Sequence, residues 1–380
     1  MHIEIDKIYQ RELMRQQSTI ELIASENFAS DSVMKLCGSE FTNKYAEGYP
    51  GRRYYNGCEH MDEIEELAIS KLIDIYGCLF ANVQPHSGAN ANLAVFQAFL
   101  EPGSRILGMD LASGGHLSHG APVNISGKNY ITEHYGVDNY GYIDYDEVRN
   151  IALKFRPQMI IAGASAYPRQ IDWKKFREIA DECRALLMVD MAHYSGLIAG
   201  GAYDNPVPYA DVVTSTTHKT LRGPRGGIIL WNDPKYCKMI NSAVFPGTQG
   251  GPLMNIIAAK AQSFIEADTK EFYDYAEQVI LNAKAMCEVF NDSNVLKVQT
   301  GGTDSHIILL DLTDCKYSGR DAADLLEENG ITVNKNGIPN DPRSFIETSG
   351  IRIGTAAETT RGHDEEWFRK LAHKIRGLLE

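Results

Sequence analysis

Apolar positions are spaced along the chain in two alternating ways, which predict helices and strands in turn. Between residues 61 and 75, apolar side chains recur every three or four positions among acidic ones, as on one face of a helix. Segments with helical spacing, or with the small apolar composition of a buried helix, are 61–75, 89–100, 173–183, 272–290 and 364–379. Short runs typical of strands are 80–84, 105–109, 158–162, 186–190, 211–215, 227–231 and 306–310.

The alternation of strands and helices up to about residue 265 predicts an α/β fold. We expect a mostly parallel sheet with helices on both faces, and ligands beyond the carboxyl ends of its strands. After residue 265, two helices flank the run 306–310 and a loop rich in Pro, Gly and Asn at 334–341, which indicates a smaller α+β domain. We therefore divide the chain into an N-terminal arm and interface segment (1–50), a large domain (51–265) and a small C-terminal domain (266–380).

Composition and charge exclude several classes of protein. The chain has 380 residues, of which 43% are hydrophobic and 23% charged, as in ordinary globular proteins of two or three domains. Lys and Arg number 37 against 50 Asp and Glu, which gives a formal net charge of −13. Broad binding to a nucleic-acid backbone needs a basic face, so we expect no nucleic-acid partner.

Cysteine usage and the absence of targeting patterns predict a cytoplasmic protein. The seven cysteines are scattered and none forms a C-x-x-C pair, which favours free thiols in a reducing compartment and argues against a zinc or other metal site. The N-terminus lacks the basic and apolar regions of a secretory signal. No window approaches about 18 uninterrupted apolar residues, so we expect no membrane span.

Lys219 and Asp190 are the first candidates for chemistry. Lys219 closely follows the predicted strand 211–215 and is flanked by hydroxyls and His218, so partial burial should lower its pKa and make it a Schiff-base former. By itself it would more often be a surface-loop lysine. Asp190 ends the strand 186–190, where a buried carboxylate needs a cationic or hydrogen-bonding partner. In pyridoxal phosphate enzymes an Asp pairs with the pyridine nitrogen, whereas the ordinary alternative is a helix N-cap or a structural ion pair.

A candidate anion site lies at the start of the helix 89–100. The sequence Ser87-Gly88-Ala89-Asn90 follows a predicted strand, and free N–H groups at a helix N-terminus suit a phosphate. Ser-Gly before a helix is also an ordinary N-cap, so this site gains weight only together with Lys219 and Asp190.

These candidates lie within a series of longer motifs that resembles one family. The motifs occur at 20–27, 42–55, 84–88, 114–117, 189–193, 216–227, 244–252, 333–336 and 348–355. In this order they are similar to serine hydroxymethyltransferase, a pyridoxal phosphate enzyme of the aspartate-aminotransferase-like fold (fold type I). The resemblance implies a large cofactor-binding domain with a mostly parallel mixed sheet, and a small α+β C-terminal domain.

The resemblance also implies which residues contact the cofactor. Lys219 would hold it covalently, Asp190 would pair with the pyridine nitrogen and His116 would stack on the ring. Phosphate contacts would come from Ser87, Gly88 and Ala89, and from Tyr45, Gly250 and Gly251 of the neighbouring subunit. Ser165 and His193 would contact the side of the cofactor that carries its 3′-oxygen, and Thr216 and His218 would line the site near Lys219. Without the motif, His116 would be an ordinary loop histidine.

Substrate contacts follow from the same resemblance. Arg352 would bind the serine carboxylate with help from Ser25, since a planar guanidinium suits a carboxylate. Glu47 of the other protomer would reach the substrate hydroxyl and the folate, and Tyr55 would belong to the same shared wall. Alone, they would be solvated surface and ordinary aromatic packing. Further substrate-side positions are His193, Leu111, Gly115, Leu117 and Asn336, the last four at the pterin site. The implied catalytic set is Lys219, Glu47, His116, Asp190, Thr216 and Tyr55.

The implied reaction is reversible transfer of the serine hydroxymethyl carbon to tetrahydrofolate, giving glycine and 5,10-methylenetetrahydrofolate. The implied assembly is a homodimer, or a tetramer built from it, with active sites shared across the interface. One alternative is a folate-independent pyridoxal phosphate aldolase for threonine-like β-hydroxy amino acids. A second is a non-catalytic protein that binds the cofactor as a scaffold or regulatory subunit. Retention of Glu47 and Asn336 favours the folate reaction, and an intact Lys219, Asp190 and Arg352 disfavours the scaffold.

Overall fold

Helices and short strands alternate throughout the computed structural model, which describes residues 2–380. The helices in that range are α1 (Ile3–Ser18), α2 (Asp31–Cys37), α3 (Glu59–Tyr76), α4 (Gly88–Phe99), α5 (Ile125–Asn129), α6 (Tyr145–Phe155), α7 (Trp173–Cys183), α8 (Ser195–Ala199), α9 (Cys237–Ser242), α10 (Met254–Ala267), α11 (Lys270–Asn291), α12 (Gly319–Glu328), α13 (Ala356–Thr360) and α14 (Glu365–Leu379). The strands are β1 (Ile20–Glu21), β2 (Gly48–Tyr49), β3 (Arg52–Arg53), β4 (Phe80–Asn82), β5 (Arg105–Met109), β6 (Ile131–Tyr135), β7 (Met159–Ala162), β8 (Leu186–Asp190), β9 (Val212–Thr216), β10 (Gly227–Trp231), β11 (Lys297–Val298), β12 (Ile307–Asp311), β13 (Ile331–Thr332), β14 (Asn334–Asn336) and β15 (Gly350–Gly354).

A seven-stranded mixed sheet forms the centre of the large domain. Its strand order is β4-β10-β9-β8-β7-β5-β6, and only β10 runs against its neighbours. Because β4 and β9 are both antiparallel to β10, they point the same way as β8. The carboxyl ends of these three strands therefore lie at one edge of the sheet, and the predicted mostly parallel α/β sheet is confirmed.

Helices cover both faces of this sheet. Leu187 and Met188 are neighbours on β8, yet their side chains belong to separate buried clusters because successive strand residues point to opposite faces. The cluster around Leu187 includes α3 and α7, whereas the cluster around Met188 includes α4 and α9. Both faces are thus dry, which explains why the central strands have no alternation of polar residues.

A second, smaller core lies beside the first. The antiparallel sheet β11-β12-β15-β14 packs with α12, α14 and the second half of α11 around buried residues such as Phe290 and Phe368. The predicted loop 334–341 is wrong at its start, because Asn334–Asn336 pair with β15 as strand β14. These three residues are polar because they form an edge strand, so the apolar pattern does not reveal them.

Two segments connect the cores. Helix α11 contributes Phe272 and Val279 to the first cluster and Met286 to the second. Near the N-terminus, Ile20 pairs in parallel with Ile331, and Leu22 is buried in the smaller core. The predicted boundary at residue 265 falls inside α10, and the three-part division stays a prediction.

Helix α1 has no buried residue, although it carries several large apolar side chains. The exposed ones are Ile3, Ile5, Ile8, Tyr9, Leu13 and Met14. Among residues 2–380, no helix combines the length and apolar character needed to cross a bilayer.

Candidate active site

A cavity of about 600 Å³ opens at the carboxyl edge of the central sheet, next to the small domain. It brings together most of the residues that the sequence predicted for the site, which are Ser25, Ser87, Gly88, Ala89, Leu111, Gly115, His116, Leu117, Ser165, Asp190, His193, Thr216, His218, Lys219 and Arg352. These residues come from segments up to 327 positions apart in the sequence, and only the fold makes them neighbours.

Lys219 lies in the loop after β9, and its side chain is buried at the base of the cavity. Burial lowers the pKa of its amine to about 7, against the opposing effect of the nearby Asp190 carboxylate. The charges of Arg352 and Arg225 lower this pKa further. A substantial share of Lys219 is therefore the neutral, nucleophilic amine at neutral pH, as expected for a covalent attachment point.

Asp190 ends β8 and keeps its charge despite being buried. Burial opposes ionisation, but the His119 ring, through a hydrogen bond and its charge, holds the pKa of this carboxyl well below its usual range. His119 Nε2 lies 3.0 Å from Asp190 Oδ2, and Asn92 Nδ2 donates to the same oxygen over 2.8 Å. The backbone N–H of Ala192 donates to Oδ1 over 3.1 Å. An ionised carboxylate fixed in this way can hold a proton on a ring nitrogen.

The N-terminus of α4 forms one wall of the cavity, which is lined by Ser87, Gly88 and Ala89. Ser87 Oγ accepts a hydrogen bond from the Asn90 N–H and donates to the Asn90 side chain, which fixes the first turn. A Cβ added at Gly88 would lie 2.6 Å from Thr216 Cγ2, and one added at Gly227 would lie 2.2 Å from the Ser87 carbonyl oxygen. The two glycines thus let the start of α4 pack against the Thr216 side chain and the start of β10, and the free N–H groups of the helix start are available to an anion.

Lys260, which sequence analysis missed, supports this wall from behind. Its ammonium group is buried on α10 and donates to the carbonyl oxygens of Val83, Pro85 and Gly227 at 2.7, 3.1 and 2.9 Å. Burial lowers the pKa of Lys260 to about 7. The side chain joins the segment before Ser87 to the start of β10. The only signal in the sequence is a lysine that directly follows the apolar run Ile256-Ile257-Ala258-Ala259.

His116 and Arg352 reach the cavity from different sides. His116 Nδ1 accepts from the Ser118 N–H at 3.2 Å, and burial lowers the pKa of the ring to about 4, so it is a neutral aromatic surface. Arg352 projects from β15 of the small domain, where its Nη1 donates to the Ser165 carbonyl at 2.6 Å and its Nε to Asn334 Oδ1 at 3.0 Å. Burial lowers the pKa of Arg352 to about 10, so it stays cationic at neutral pH.

Five predicted site residues lie outside this cavity and form a separate cluster on the surface, which we call the tyrosine cluster: Tyr45, Glu47, Tyr55, Gly250 and Gly251. The rings of Tyr45 and Tyr55 meet edge to face with centroids 5.4 Å apart, and Tyr55 Oη donates to Glu47 Oε2 at 3.4 Å. Cβ atoms added at Gly250 and Gly251 would lie 3.5 Å from Glu47 and 3.0 Å from Tyr45. The cluster is preformed but does not reach the cavity of its own chain.

Asn336 also lies outside the cavity. Its amide group donates to the Gly337 carbonyl at 2.7 Å on strand β14. Other lining residues were not predicted as site residues: Glu26, His119, Ala164 and Ala192. Asn92 was missed too, although an amide within the apolar helix 89–100 is the kind of signal that could have revealed it.

Taken together, the residues present fit pyridoxal phosphate. The cavity has a buried amine for the aldehyde, an ionised carboxylate for the ring nitrogen and a helix N-terminus for the phosphate. The contacts at Gly88 and Gly227 leave no room for a side chain beside this helix N-terminus.

Comparison with known proteins points to the same chemistry. A family model described as serine hydroxymethyltransferase matches residues 1–375. A serine hydroxymethyltransferase of Lactobacillus acidophilus is 56% identical over 375 residues, which cover 98% of this chain and 91% of that protein. A serine hydroxymethyltransferase of Nitratiruptor sp. is 55% identical over 374 residues, which cover 98% of this chain and 90% of that protein. This chain therefore belongs to the serine hydroxymethyltransferase family.

Proposed function

We propose a role for each of the site residues described above in the reaction of the serine hydroxymethyltransferase family. That reaction moves the hydroxymethyl carbon of serine reversibly to tetrahydrofolate, with glycine and 5,10-methylenetetrahydrofolate as products and pyridoxal phosphate as cofactor. The observation that best supports these roles is the placement of Lys219, Asp190 and Arg352 around one cavity, with the pKa of Lys219 lowered to about 7 by burial.

Lys219 and Asp190 hold the two reactive ends of the cofactor. With the cofactor bound, the neutral amine of Lys219 would hold its aldehyde carbon covalently, with loss of water, and the ionised Asp190 would keep the ring nitrogen protonated. His116 would cover one face of the ring, while Ser87, Gly88 and Ala89 would bind the phosphate. Ser165, His193, Thr216 and His218 surround the ring and the lysine. When bound, the cofactor supplies an electron sink for the pair left on the substrate Cα.

Arg352 and Glu47 act on the substrate. The guanidinium of Arg352 binds the serine carboxylate, assisted by Ser25, and so aligns the Cα–Cβ bond with the site. Glu47 takes the proton of the serine hydroxyl as that bond breaks, with Tyr55 beside it. Leu111, Gly115, Leu117 and Asn336 bind the pterin portion of the folate.

Two copies of the chain form the working unit. The tyrosine cluster lies outside its own cavity, and its Tyr45 and Tyr55 side chains are exposed, as expected if the cluster completes the cavity of a partner. There Tyr45, Gly250 and Gly251 would reach the phosphate. The apolar residues of α1 also need a covering surface. In a dimer, the tyrosine cluster of each chain would complete the cavity of the other chain, and the interface would cover the apolar residues of α1.

The cytoplasm is the compartment that we propose for this enzyme. All seven cysteines are free thiols, and four of them are buried. Free thiols persist in a reducing compartment, whereas secreted proteins tend to pair them.

The test is to supply the purified protein with pyridoxal phosphate, serine and tetrahydrofolate. We expect glycine and 5,10-methylenetetrahydrofolate in equal amounts, and no product from Lys219→Ala. Cleavage of allo-threonine without folate-dependent turnover of serine would instead support the aldolase alternative. Cofactor binding without either activity would support the scaffold alternative.

A further inference from the structure

Two buried histidines meet at the wall of the cavity, at the junction of the two domains. His193 follows β8 in the large domain, and His306 directly precedes β12 in the small one. Their rings are nearly parallel, 17° apart, with centroids separated by 5.5 Å. His193 Nδ1 lies 3.3 Å from His306 Nε2, and the two residues are only 3% and 0% exposed.

A third group determines the direction of the hydrogen bonds. The carbonyl oxygen of Ala24 lies 3.1 Å from the same Nε2 atom of His306. A carbonyl oxygen can only accept, so this contact is favourable only if His306 Nε2 carries a proton. The segment around Ala24 has little room to move away, because a Cβ added at Gly354 would lie 2.3 Å from Ala24 Cα.

The opposite arrangement is unfavourable at both ring nitrogens of His306. An unprotonated Nε2 would place its lone pair against the carbonyl oxygen. The proton would then be on Nδ1, which is buried and has no hydrogen-bond partner among residues 2–380. A buried donor without an acceptor is disfavoured more than a buried acceptor without a donor.

The charged form of either ring is also disfavoured. Burial, together with the nearby Arg352 and Lys219 charges, lowers the pKa of His306 to about 3. The same causes, with Lys219 and Arg352 again the main charges, hold the pKa of His193 well below its usual range. Both rings are therefore neutral at physiological pH, and each carries one ring proton.

The protonation of His193 follows from that of His306. With the His306 proton on Nε2, His193 Nδ1 faces a donor and must present its lone pair. The proton of a neutral His193 is then on Nε2. No group among residues 2–380 hydrogen-bonds that nitrogen, and His193 lines the cavity.

We propose that His306 is a positioning residue that fixes His193 as the Nε2–H tautomer, so that His193 donates a hydrogen bond to an anionic oxygen in the cavity. In this form Nε2 has no lone pair, so His193 does not serve as the proton acceptor of the reaction. Proton abstraction then falls to other groups, such as Glu47 or the neutral Lys219. Only the identity of the oxygen, a cofactor phenolate or a substrate carboxylate, rests on the proposed function.

Magic-angle-spinning NMR of the holoenzyme labelled with ¹³C,¹⁵N-histidine tests the tautomer directly. The His193 signals are identified by their loss in His193→Gln. We expect Nδ1 to have the shift of an unprotonated ring nitrogen and Nε2 that of a protonated one, from pH 6 to 8. An Nδ1–H tautomer or an imidazolium in the unmodified enzyme would overturn the proposal, whether or not the enzyme transfers carbon from serine.

Two variants test the role of His306. His306→Gln keeps an amide N–H close to the Nε2 position and should leave the His193 tautomer unchanged. His306→Leu removes the donor and should give a mixture of tautomers with a loss of kcat of about tenfold or more, as when an orienting partner is removed. An unchanged His193 spectrum in His306→Leu would refute the positioning role. Should that variant not fold, His306→Ala takes its place, and an unchanged His193 spectrum there would refute the role equally.

Discussion

Arg53 Nη2 lies 2.6 Å from Glu65 Oε2 in the interior of the large domain, with both side chains at most 3% exposed. The other terminal nitrogen of Arg53 donates to the carbonyl oxygens of Ala46 and Gly48, at 2.9 and 3.0 Å. These two residues flank Glu47. The buried Arg53 side chain therefore fixes the backbone on both sides of Glu47. Glu47 is the residue proposed to accept the proton of the serine hydroxyl group.

Arg53→Met should destabilise the protein by about 3–5 kcal/mol, because it leaves the Glu65 carboxylate buried without its cation. The measurement is the free energy of unfolding from urea titration at a fixed protein concentration. Arg320→Met is the matched control, since the Arg320 side chain is 55% exposed and its contact with Asp324 is weak. Equal stability of the two variants would show that the Arg53–Glu65 pair does not hold this region together.

Lys219 should react as a nucleophile with a pH dependence unlike that of a surface lysine. Its amine has a pKa of about 7, lowered by burial, and only the neutral form reacts. In the protein without cofactor, the acetylation rate of Lys219 should rise about tenfold per pH unit below pH 7 and then level off. Peptide mass spectrometry after brief exposure to acetic anhydride gives this rate at each pH.

Lys270 provides the internal control for that experiment. Its side chain is 81% exposed, and its hydrogen bond to Asp274 raises the pKa of the amine above the ordinary value. The acetylation rate of Lys270 should still be rising at pH 9. A Lys219 profile that runs parallel to that of Lys270 would contradict the lowered pKa.

The central strands could be predicted from the sequence because they are dry on both faces. The predicted runs 105–109, 186–190 and 227–231 coincide with β5, β8 and β10. Edge and surface elements lack this signal. Strand β6 reads Ile131-Thr132-Glu133-His134-Tyr135 at the sheet edge, and α1 has no buried residue, so neither was predicted.

The candidate site shows a similar limit. Residues at strand ends, such as Asp190, could be placed because the ends of parallel strands share one edge. Asn92, Lys260 and His306 could not, because the groups that they contact lie far away in the sequence. A pattern shows that such a residue is unusual, but only the fold shows which group satisfies it.

Asp190→Asn should lower kcat by at least about 10²-fold, the scale of losing a preorganised electrostatic group. An amide keeps the shape but cannot hold the ring nitrogen in its protonated state. Steady-state kinetics with saturating cofactor give kcat, and the cofactor absorbance shows that binding persists. Asp324→Asn, at a side chain 68% exposed, should behave as the unmodified enzyme. A kcat within a few-fold of that enzyme would exclude the proposed role of Asp190.

Arg352→Ala should weaken serine binding by about 2–5 kcal/mol, since a buried cation and its carboxylate partner lose their contact. Arg352→Lys should recover only part of this, because lysine cannot reproduce the planar fork held by Asn334 and Ser165. Calorimetric titration of the holoenzyme with serine measures the change. Serinamide has no carboxylate, so its binding should be nearly unaffected, and an equal loss for both ligands would rule out carboxylate recognition by Arg352.

Sharing of the site between two chains predicts complementation between inactive variants. Lys219→Ala lacks the amine of the cavity, and Glu47→Gln lacks the acid of the tyrosine cluster. After dissociation and reassociation of an equal mixture, about a quarter of the unmodified activity should return, because half of the dimers are hybrids and each has one intact site.

A second mixture of variants is the control for activity that returns for reasons other than a shared active site. Lys219 and Arg352 line the same cavity of one chain, so a Lys219→Ala and Arg352→Ala hybrid contains no intact site and should stay inactive. If Glu47 served its own chain instead, the first hybrid would be equally inactive, because each of its sites would lack one residue. Activity in the first mixture but not in the second therefore assigns the tyrosine cluster to the partner's cavity.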